Sequence, residues 1–352
     1  LLGDVSGVHK NLQKGLFECG INKTFLATDG DGFKQIKGDI QLPRLKNNKI
    51  INKLILRRDF IKNILNIKDY DIVQIGGPFR FPFPLFPYEF LLKKLKKNNG
   101  KVFLSACGSD SYYWKFGKER LGYGPFEDVV KYDLKGEKAK QSRLNAYKFN
   151  QYLAENVDGV IPVCYEYYIS YKHCKNIRPL IPHPLHLNNL DPQEREFNYP
   201  IKIFHGLSRY GLKGTRHIKK AFEIIKSNYH DKVDISIEGN LPFNSYLKKI
   251  MQKDLLIDQC YSYSYGVNAL YGMALKKLVF SGAEKEVNEI MKVKNIPIEN
   301  ITPNYEIIVE KISKYIEKPK LIKEISDQGR TYVIKNHNAP MIAEKYLNEW
   351  AN

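Results

Sequence analysis

The feature that most constrains the fold is a regular alternation of short β-branched and aromatic runs with longer helical segments. Strand-like runs lie at residues 24–28, 71–75, 101–105, 159–163, 200–204, 233–237 and 277–280. Helical apolar spacing marks residues 8–19 and 88–99, and each of these segments ends at a glycine. Strands that alternate with helices in this way form a parallel sheet covered by helices. The sequence therefore predicts an α/β protein.

The alternation is interrupted once, between residues 179 and 200, where prolines, asparagines and charged residues gather. Such a composition is typical of a linker. The chain has 352 residues, which is enough for about two domains of roughly 150 residues each. We therefore expect two facing Rossmann-like domains, residues 1–187 and 200–338, joined by a linker at 188–199. A ligand should lie in a deep cleft between them, at the carboxyl ends of the strands.

Composition and charge restrict the function classes. The net charge is +18, which favours a polyanionic partner or an anionic membrane surface. The abundance of Lys, Asn, Ile and Tyr is also typical of an AT-rich genome, so part of this charge reflects codon bias. No apolar run approaches the ~18 residues that cross a bilayer. The five cysteines are scattered, which predicts reduced thiols, a cytoplasmic location and no metal site.

The most informative segment is residues 204–216, Phe-His-Gly-Leu-Ser-Arg-Tyr-Gly-Leu-Lys-Gly-Thr-Arg. It follows a strand and leads into a helix, so backbone N–H groups and a helix start would face an anion there. Arg209 and Lys213 would add charge-assisted hydrogen bonds to phosphate oxygens. The alternative is an ordinary glycine-rich connection whose basic residues are solvated. The segment is neither a Walker loop nor a full G-x-G-x-x-G, so both interpretations stay open.

A second loop-to-helix segment lies at residues 258–275, with small residues at Ser264 and Gly266 where the helix would begin. The small residues Gly272 and Ala274 predict that this helix packs closely against its neighbours. The start of this helix is expected to point into the same cleft.

Together these segments resemble the carboxyl-terminal half of GT-B glycosyltransferases, most closely the retaining family 4, or "glycosyl transferases group 1". The resemblance rests on the Arg-x-x-x-Lys-Gly-Thr turn and on the block Tyr-Gly-Val-Asn-Ala-Leu-Tyr-Gly-Met-Ala-Leu at residues 265–275. It extends to the first half through the glycine-rich start at residues 3–7, the Gly-Ser-Asp turn at 108–110 and the segment 158–166. The last helix, residues 339–352, is similar in position to the family's terminal helix, which packs back on the first domain.

The resemblance implies a nucleotide-sugar donor bound by the second domain and an acceptor bound by the first. Arg209 and Lys213 would grip the diphosphate as the catalytic cations, without a metal or other cofactor. The implied donor contacts are Gly7, Ser208, Arg209, Lys213, Gly214, Tyr263, Ser264, Gly266 and Tyr271. The implied acceptor contacts are His9 and Asp110. The resemblance assigns no protein base.

One departure from the family concerns two glutamates that it usually places eight positions apart. The aligned positions are Tyr263 and Tyr271, and a phenol cannot accept hydrogen bonds as a carboxylate does. Three explanations remain: an unusual donor, a loss of activity, or a shifted alignment in which Glu284 or Glu286 contacts the sugar.

A further basic region spans residues 43–65 and the lysines at 93–97. It is either a solvated helix surface or a contact with anionic lipid headgroups, which would suit a lipid-linked acceptor. The sequence thus predicts a bacterial glycosyltransferase of surface-polysaccharide assembly, cytoplasmic and peripheral at the inner membrane face. The alternatives are a nucleotide-sugar epimerase or hydrolase of the same fold, and a degenerate, non-catalytic binding protein. No nucleic-acid-binding motif is present.

Overall fold

The computed structural model describes residues 1–31, 34–43, 50–77, 88–131, 144–188, 190–194, 196–207 and 210–352, with the side chains of 50–54 and 130 excepted. The chain divides into two compact units. The first comprises Leu1–Glu119, Lys140–Pro184 and Ala339–Asn352. The second comprises Arg120–Ala139 and Leu185–Asn338. No described helix is both long enough and apolar enough to span a bilayer.

The strands are β1 (Ala27–Thr28), β2 (Ile40–Gln41), β3 (Ile72–Gly76), β4 (Lys101–Ala106), β5 (Gly159–Pro162), β6 (Ile201–Leu207), β7 (Val233–Gly239), β8 (Leu255–Ile257), β9 (Leu278–Ser281) and β10 (Glu299–Asn300). The α-helices are α1 (Val8–Glu18), α2 (Ile50–Leu65), α3 (Tyr88–Asn98), α4 (Lys118–Arg120), α5 (Phe126–Lys131), α6 (Leu144–Asn156), α7 (Tyr165–Tyr171), α8 (Thr215–Tyr229), α9 (Phe243–Met251), α10 (Val267–Ala274), α11 (Lys285–Met291), α12 (Tyr305–Glu317), α13 (Lys320–His337) and α14 (Ala339–Ala351). A π-helical turn at Tyr113–Gly117 precedes α4, and a 3₁₀ turn at His230–Lys232 follows α8.

The first unit is built on a parallel sheet whose first strand position is Leu2. Leu2 bridges to Ala27 of β1 and to Ile75 of β3, and β3, β4 and β5 follow in order. The spatial order is therefore β2-β1-Leu2-β3-β4-β5, which is the order 3-2-1-4-5-6 of a Rossmann sheet. The chain crosses between Leu2 and β3 where this order reverses, so the loop after Leu2 lies at a switch point.

The last helix, α14, belongs to this first unit and packs against α1. Leu12 and Leu16 of α1 share a buried cluster with Ile342 and Tyr346 of α14. The approach is close because Gly15 lacks a side chain: a Cβ there would lie 2.3 Å from the carbonyl oxygen of Ala339. A glycine in a helix interior costs about 0.5–1 kcal/mol relative to alanine, and here it allows the two helices to touch.

The second unit contains a five-stranded parallel sheet in the order β10-β9-β8-β6-β7. Counted from β6, this is the doubly wound order 2-1-3-4-5, whose switch point lies between β6 and β8. Apolar residues of the strands face α8 and α12 in one cluster that includes Ile203, Ile218, Leu278 and Ile312, none of which is measurably exposed. The inner strands β8 and β9 are nearly continuous apolar runs and are fully buried, as is typical of strands in a sheet that helices cover.

The α/β prediction is confirmed, and both units are Rossmann-like. The structure differs from the expected 1–187 segment at residues 120–131, which pack with the second unit. The physical reason is an ion pair in which the buried carboxylate of Asp128 accepts from the guanidinium of Arg216 on α8. The short strands β2, β8 and β10 are not among the strands predicted from the sequence.

Candidate functional site

The candidate site of the second unit lies at the carboxyl ends of β6 and β8. Ligands of doubly wound sheets bind outside the carboxyl ends of the strands at the switch point. The loop after β6 carries Lys213 and Gly214 directly before α8. The loop after β8 carries Asp258 and leads on to α10. Two of the expected residues, Ser208 and Arg209, lie outside the described residues.

Lys213 is the buried cation of this site. Its Nζ donates to the carbonyl oxygen of Gly206 at 2.9 Å and to Oδ1 of Asp258 at 2.8 Å. Only 7% of Lys213 is exposed, and a buried ammonium is tolerated only when it is paired and hydrogen-bonded. An ammonium has three N–H donors, so these contacts use two of them.

Asp258, which sequence reasoning missed, holds this cation in place. Its Oδ2 accepts from the hydroxyl of Ser281 at the end of β9, 3.3 Å away. Its backbone N–H donates to the carbonyl oxygen of Phe280 at 2.8 Å. The carboxylate, which directly follows β8, therefore bonds both to Lys213 in the loop after β6 and to the end of β9. A signal was present: an aspartate directly follows the apolar run Leu255–Ile257, the position where a functional side chain leaves a buried strand.

Gly214 begins α8 in a conformation that requires glycine. Its φ is +73°, and a Cβ would lie 2.2 Å from Sγ of Cys260. Behind it, His205 fixes the first residue of the helix. The ring Nδ1–H donates to the carbonyl oxygen of Ile257 at 2.8 Å, and Nε2 accepts from the Thr215 hydroxyl at 3.0 Å. Burial lowers the pKa of His205 to about 4, so the ring is neutral.

Tyr263 contacts residues 120–131, the segment that packs with the second unit. Its ring stacks on Tyr123, with centroids 4.7 Å apart and planes 25° apart, and its hydroxyl accepts from the N–H of Gly122 at 2.9 Å. The Tyr123 hydroxyl donates to Oε1 of Glu284 at 2.6 Å. The backbone N–H of Glu284 donates to the carbonyl oxygen of Tyr263 at 3.1 Å. Of the two glutamates that a shifted alignment offers, Glu284 is hydrogen-bonded to the loop that carries Tyr263, whereas Glu286 lies in the first turn of α11.

The remaining expected donor residues lie along the same loop and helix. The carbonyl oxygen of Ser264 accepts from the amide of Gln259 at 3.2 Å. Gly266 is the residue from which α10 begins. Tyr271 is 7% exposed and packs edge-on against Phe243 of α9, with ring centroids 5.1 Å apart.

Arg216 is a second functional candidate that sequence reasoning did not single out. It lies in the first turn of α8, and its Nη2 is 3.0 Å from Oδ1 of Asp128. Its side chain is 45% exposed, whereas that of Asp128 is 6% exposed. The hydrogen bonds that the guanidinium donates to Asp128 raise the pKa of Arg216, which stays charged.

In the first unit, Gly7 and His9 lie at the switch point after Leu2. Gly7 has φ +82° and precedes α1, but its N–H donates to Oδ1 of Asp4 at 2.8 Å. Asp4 also accepts from the N–H of Lys10 at 2.9 Å. The side-chain carboxyl group of Asp4 therefore occupies the start of α1, where a ligand anion would otherwise bind. His9 is buried, and its Nδ1–H donates to the carbonyl oxygen of Gly3 at 2.7 Å. Burial lowers the pKa of His9 to about 3.

Asp110 is buried at the end of the loop after β4. Burial raises the pKa of Asp110 to about 6. Hydrogen bonds from the N–H of Tyr113 and the hydroxyl of Tyr171 act in the opposite direction and lower it. The first unit thus carries Gly7 directly before α1, His9 in the first turn of α1, and Asp110 in the loop after β4. Within the residues that the structure describes, no group of three or more His, Cys, Asp or Glu side chains could hold a metal ion.

Comparison with known proteins places the fold. No protein-family model matches the chain, and no curated protein sequence matches it. Among solved structures, sucrose-phosphate synthase from Thermosynechococcus elongatus is similar with a TM-score of 0.61 and 15% identity, over 99% of this chain and 97% of that one. HepE from Anabaena, in complex with UDP and glucose, gives a TM-score of 0.62 and 10% identity, over 99% and 98%.

A third similar structure is WaaG, a glycosyltransferase involved in lipopolysaccharide biosynthesis. Its TM-score is 0.56 at 11% identity, and 99% of each chain is covered. Likeness at these identities shows the fold, and it confirms the expected GT-B architecture of two Rossmann-like domains. The cleft expected between the domains stays a prediction.

Replacing His205 by asparagine should destabilise the protein by an amount that depends on pH. The unfolded state binds a proton on His205 below about pH 6.5, whereas the folded state does so only near pH 4, so the stability that the neutral ring contributes is lost as the pH falls between these values. The cost of His205→Asn should therefore shrink by on the order of 3 kcal/mol from pH 7 to pH 4.

Urea denaturation followed by circular dichroism at both pH values measures this change. Thr215→Val is the matched control, because it removes the same hydrogen bond and retains the buried ring. An equal cost of His205→Asn at pH 7 and pH 4 would contradict the interpretation.

Proposed function

We propose that the protein is a glycosyltransferase that moves a sugar from a nucleotide-sugar donor to a glycan or lipid-linked glycan, in the assembly of bacterial surface polysaccharide. The observation that carries this proposal is the buried ammonium of Lys213 at the switch point of the second unit, directly before the start of α8. The similar structures support it, since they include a complex with UDP and glucose and an enzyme of lipopolysaccharide biosynthesis.

The chemistry needs a fixed positive charge at the departing diphosphate. Glycosyl transfer develops negative charge on that group, so a cation already in place stabilises the transition state more than the ground state. Lys213 and the N–H groups at the start of α8 would supply this charge without a metal ion, together with Arg209. In a retaining reaction the donor's own phosphate would take the acceptor proton. The acceptor would lie on the first unit, near His9 and Asp110.

The ion pair with Asp258 keeps Lys213 charged and buried at this position. It compensates the buried charge of Lys213 while no donor is bound, which keeps the cation in place without local unfolding. The third N–H of the ammonium would then bond to a phosphate oxygen. Near the sugar, Glu284 would supply the carboxylate, held by the hydroxyl of Tyr123.

Replacing Lys213 by glutamine should weaken donor binding by at least about tenfold, because a hydrogen bond to a charged group contributes about 1.5–3 kcal/mol. The glutamine amide can still donate to Asp258, so the variant should fold. Calorimetric titration with UDP-, GDP-, ADP- and dTDP-sugars measures the effect. Lys226→Gln is the control, since it makes the same change at an exposed position in the last turn of α8. Equal affinities of the two variants would rule out the proposed role of Lys213.

A second candidate activity, nucleotide-sugar epimerisation or hydrolysis, is compatible with the same fold. The two activities differ in their need for an acceptor. A glycosyltransferase incubated with its donor alone should release nucleoside diphosphate at a small fraction of the rate seen with acceptor, whereas an epimerase or hydrolase should consume the donor efficiently. Chromatography of the nucleotide products distinguishes them. Absence of binding to every nucleotide sugar would instead favour a non-catalytic binding protein.

The first unit carries a surface suited to a peripheral contact with anionic lipid. Ile55 of α2 and Phe90 of α3 are each 45% exposed, and α2 packs against α3. Arg58, Lys93 and Lys97 are also exposed on these two helices. Exposed apolar side chains beside basic residues are typical of helices that lie at a membrane interface.

Charge reversal by Lys93→Glu with Lys97→Glu should abolish co-sedimentation with vesicles that contain about one third phosphatidylglycerol, because each basic residue near an anionic surface contributes about 1 kcal/mol. Lys318→Glu with Lys320→Glu is the control, since it makes the same charge change at exposed positions of the second unit. Unchanged sedimentation of the first pair would argue against this contact.

A further inference from the structure

Tyr246 of α9 lies directly over the strand that leads into the candidate site. Its ring is tilted against Phe204 of β6, with centroids 5.9 Å apart. It also covers Gly206, where a Cβ would lie 2.8 Å from Cε2 and 2.9 Å from the hydroxyl oxygen of Tyr246. Gly206 is therefore a glycine because the phenol occupies the space of a side chain. This close approach brings the hydroxyl to the carboxyl end of β6.

The hydroxyl of Tyr246 is buried and has no hydrogen-bond partner among the residues that the structure describes. A buried polar group without a partner costs about 1–3 kcal/mol, so each case needs an explanation. Two other buried tyrosines are satisfied: the Tyr171 hydroxyl donates to Asp110 and accepts from Asn150, and the Tyr265 hydroxyl bonds to Tyr332 and His337. The Tyr346 hydroxyl also lacks a partner in the described part of the chain, but it lies in the apolar cluster between α1 and α14, away from the candidate site of the second unit. The missing partner of Tyr246 indicates a group that arrives with a ligand.

The surroundings of this hydroxyl favour an anionic ligand. Gly206, which the ring covers, accepts at its carbonyl oxygen from Nζ of Lys213. Burial and the charge of Asp258 raise the pKa of Tyr246 well above its usual value, so the hydroxyl keeps its proton and is available as a donor. A donor beside an ammonium needs an acceptor that the ammonium also attracts, and a phosphate oxygen is such an acceptor.

We propose that the hydroxyl of Tyr246 donates a hydrogen bond to a phosphate oxygen of a nucleoside diphosphate bound beside Lys213. This assignment rests on the proposed function and adds a binding residue to it. Lys213 supplies the charge, whereas Tyr246 supplies a directional donor from α9, a different element. The diphosphate would satisfy the hydroxyl that the free protein leaves unpaired.

Replacing Tyr246 by phenylalanine removes only the hydroxyl and leaves the ring over Gly206. We expect the dissociation constants for UDP, GDP, ADP and dTDP, whichever of these the wild type binds, and for inorganic pyrophosphate to rise by about tenfold in calorimetric titration. The melting temperature of the free variant should be unchanged or higher, because an unpaired buried group is lost. A merely structural hydroxyl would give the opposite pattern, with a lower melting temperature and unchanged affinity.

Tyr229→Phe is the matched control. Its hydroxyl donates to Glu317 at the far end of α8, so its loss should leave all affinities unchanged. If Tyr246→Phe binds as tightly as the wild type, the assignment of Tyr246 is overturned and the proposed function stands. If the variant loses affinity for the nucleotides and not for pyrophosphate, the hydroxyl contacts the nucleoside and the phosphate assignment is overturned. If the wild type binds none of these anions, both proposals fail.

Discussion

The buried ion pair between Lys213 and Asp258 is the interaction on which the candidate site depends. It places a fixed positive charge at the carboxyl ends of β6 and β8, where the strand order of the second unit reverses. Such a charge cannot remain in an apolar interior without a partner, and the partner comes from a neighbouring strand. The glycines at 206 and 214 fit around it, one below a tyrosine ring and one against Cys260. The proposed binding of a diphosphate uses the third N–H of the Lys213 ammonium, which neither Asp258 nor Gly206 accepts.

The segment around Tyr123 and Asp128 changes how the missing glutamates are interpreted. The phenol at position 263 is stacked on a second phenol, and Tyr123 fixes the carboxylate of Glu284 beside the same loop. The shifted assignment, in which Glu284 contacts the sugar, is therefore the one that we propose. Asp128 binds Arg216 in the first turn of α8, so this segment contacts both the start of α8 and the loop that carries Tyr263. Both contacts lie within the second unit.

Much of the fold could be predicted from the sequence, because the periodicity of apolar residues reports local backbone geometry directly. The strands at 71–75, 101–105 and 233–237 and the helices that begin near residues 8 and 88 were found in this way. The three-residue strand β8 was missed, since a run as short as Leu255–Ile257 carries no periodicity. Asp258 was missed with it, although it completes the site. The positions of Ser208 and Arg209 stay predictions.

The sequence by itself determined the α/β class, the two Rossmann-like domains and a glycine-rich, basic loop before a helix. These features depend on residues close together in the chain. Only the tertiary structure decided that Lys213 pairs with a residue 45 positions away, that residues 120–131 pack with the second unit, and that the Tyr246 hydroxyl has no partner among the described residues. The physical reason is that strand order sets which loops meet, and a local pattern of apolar residues does not encode that order.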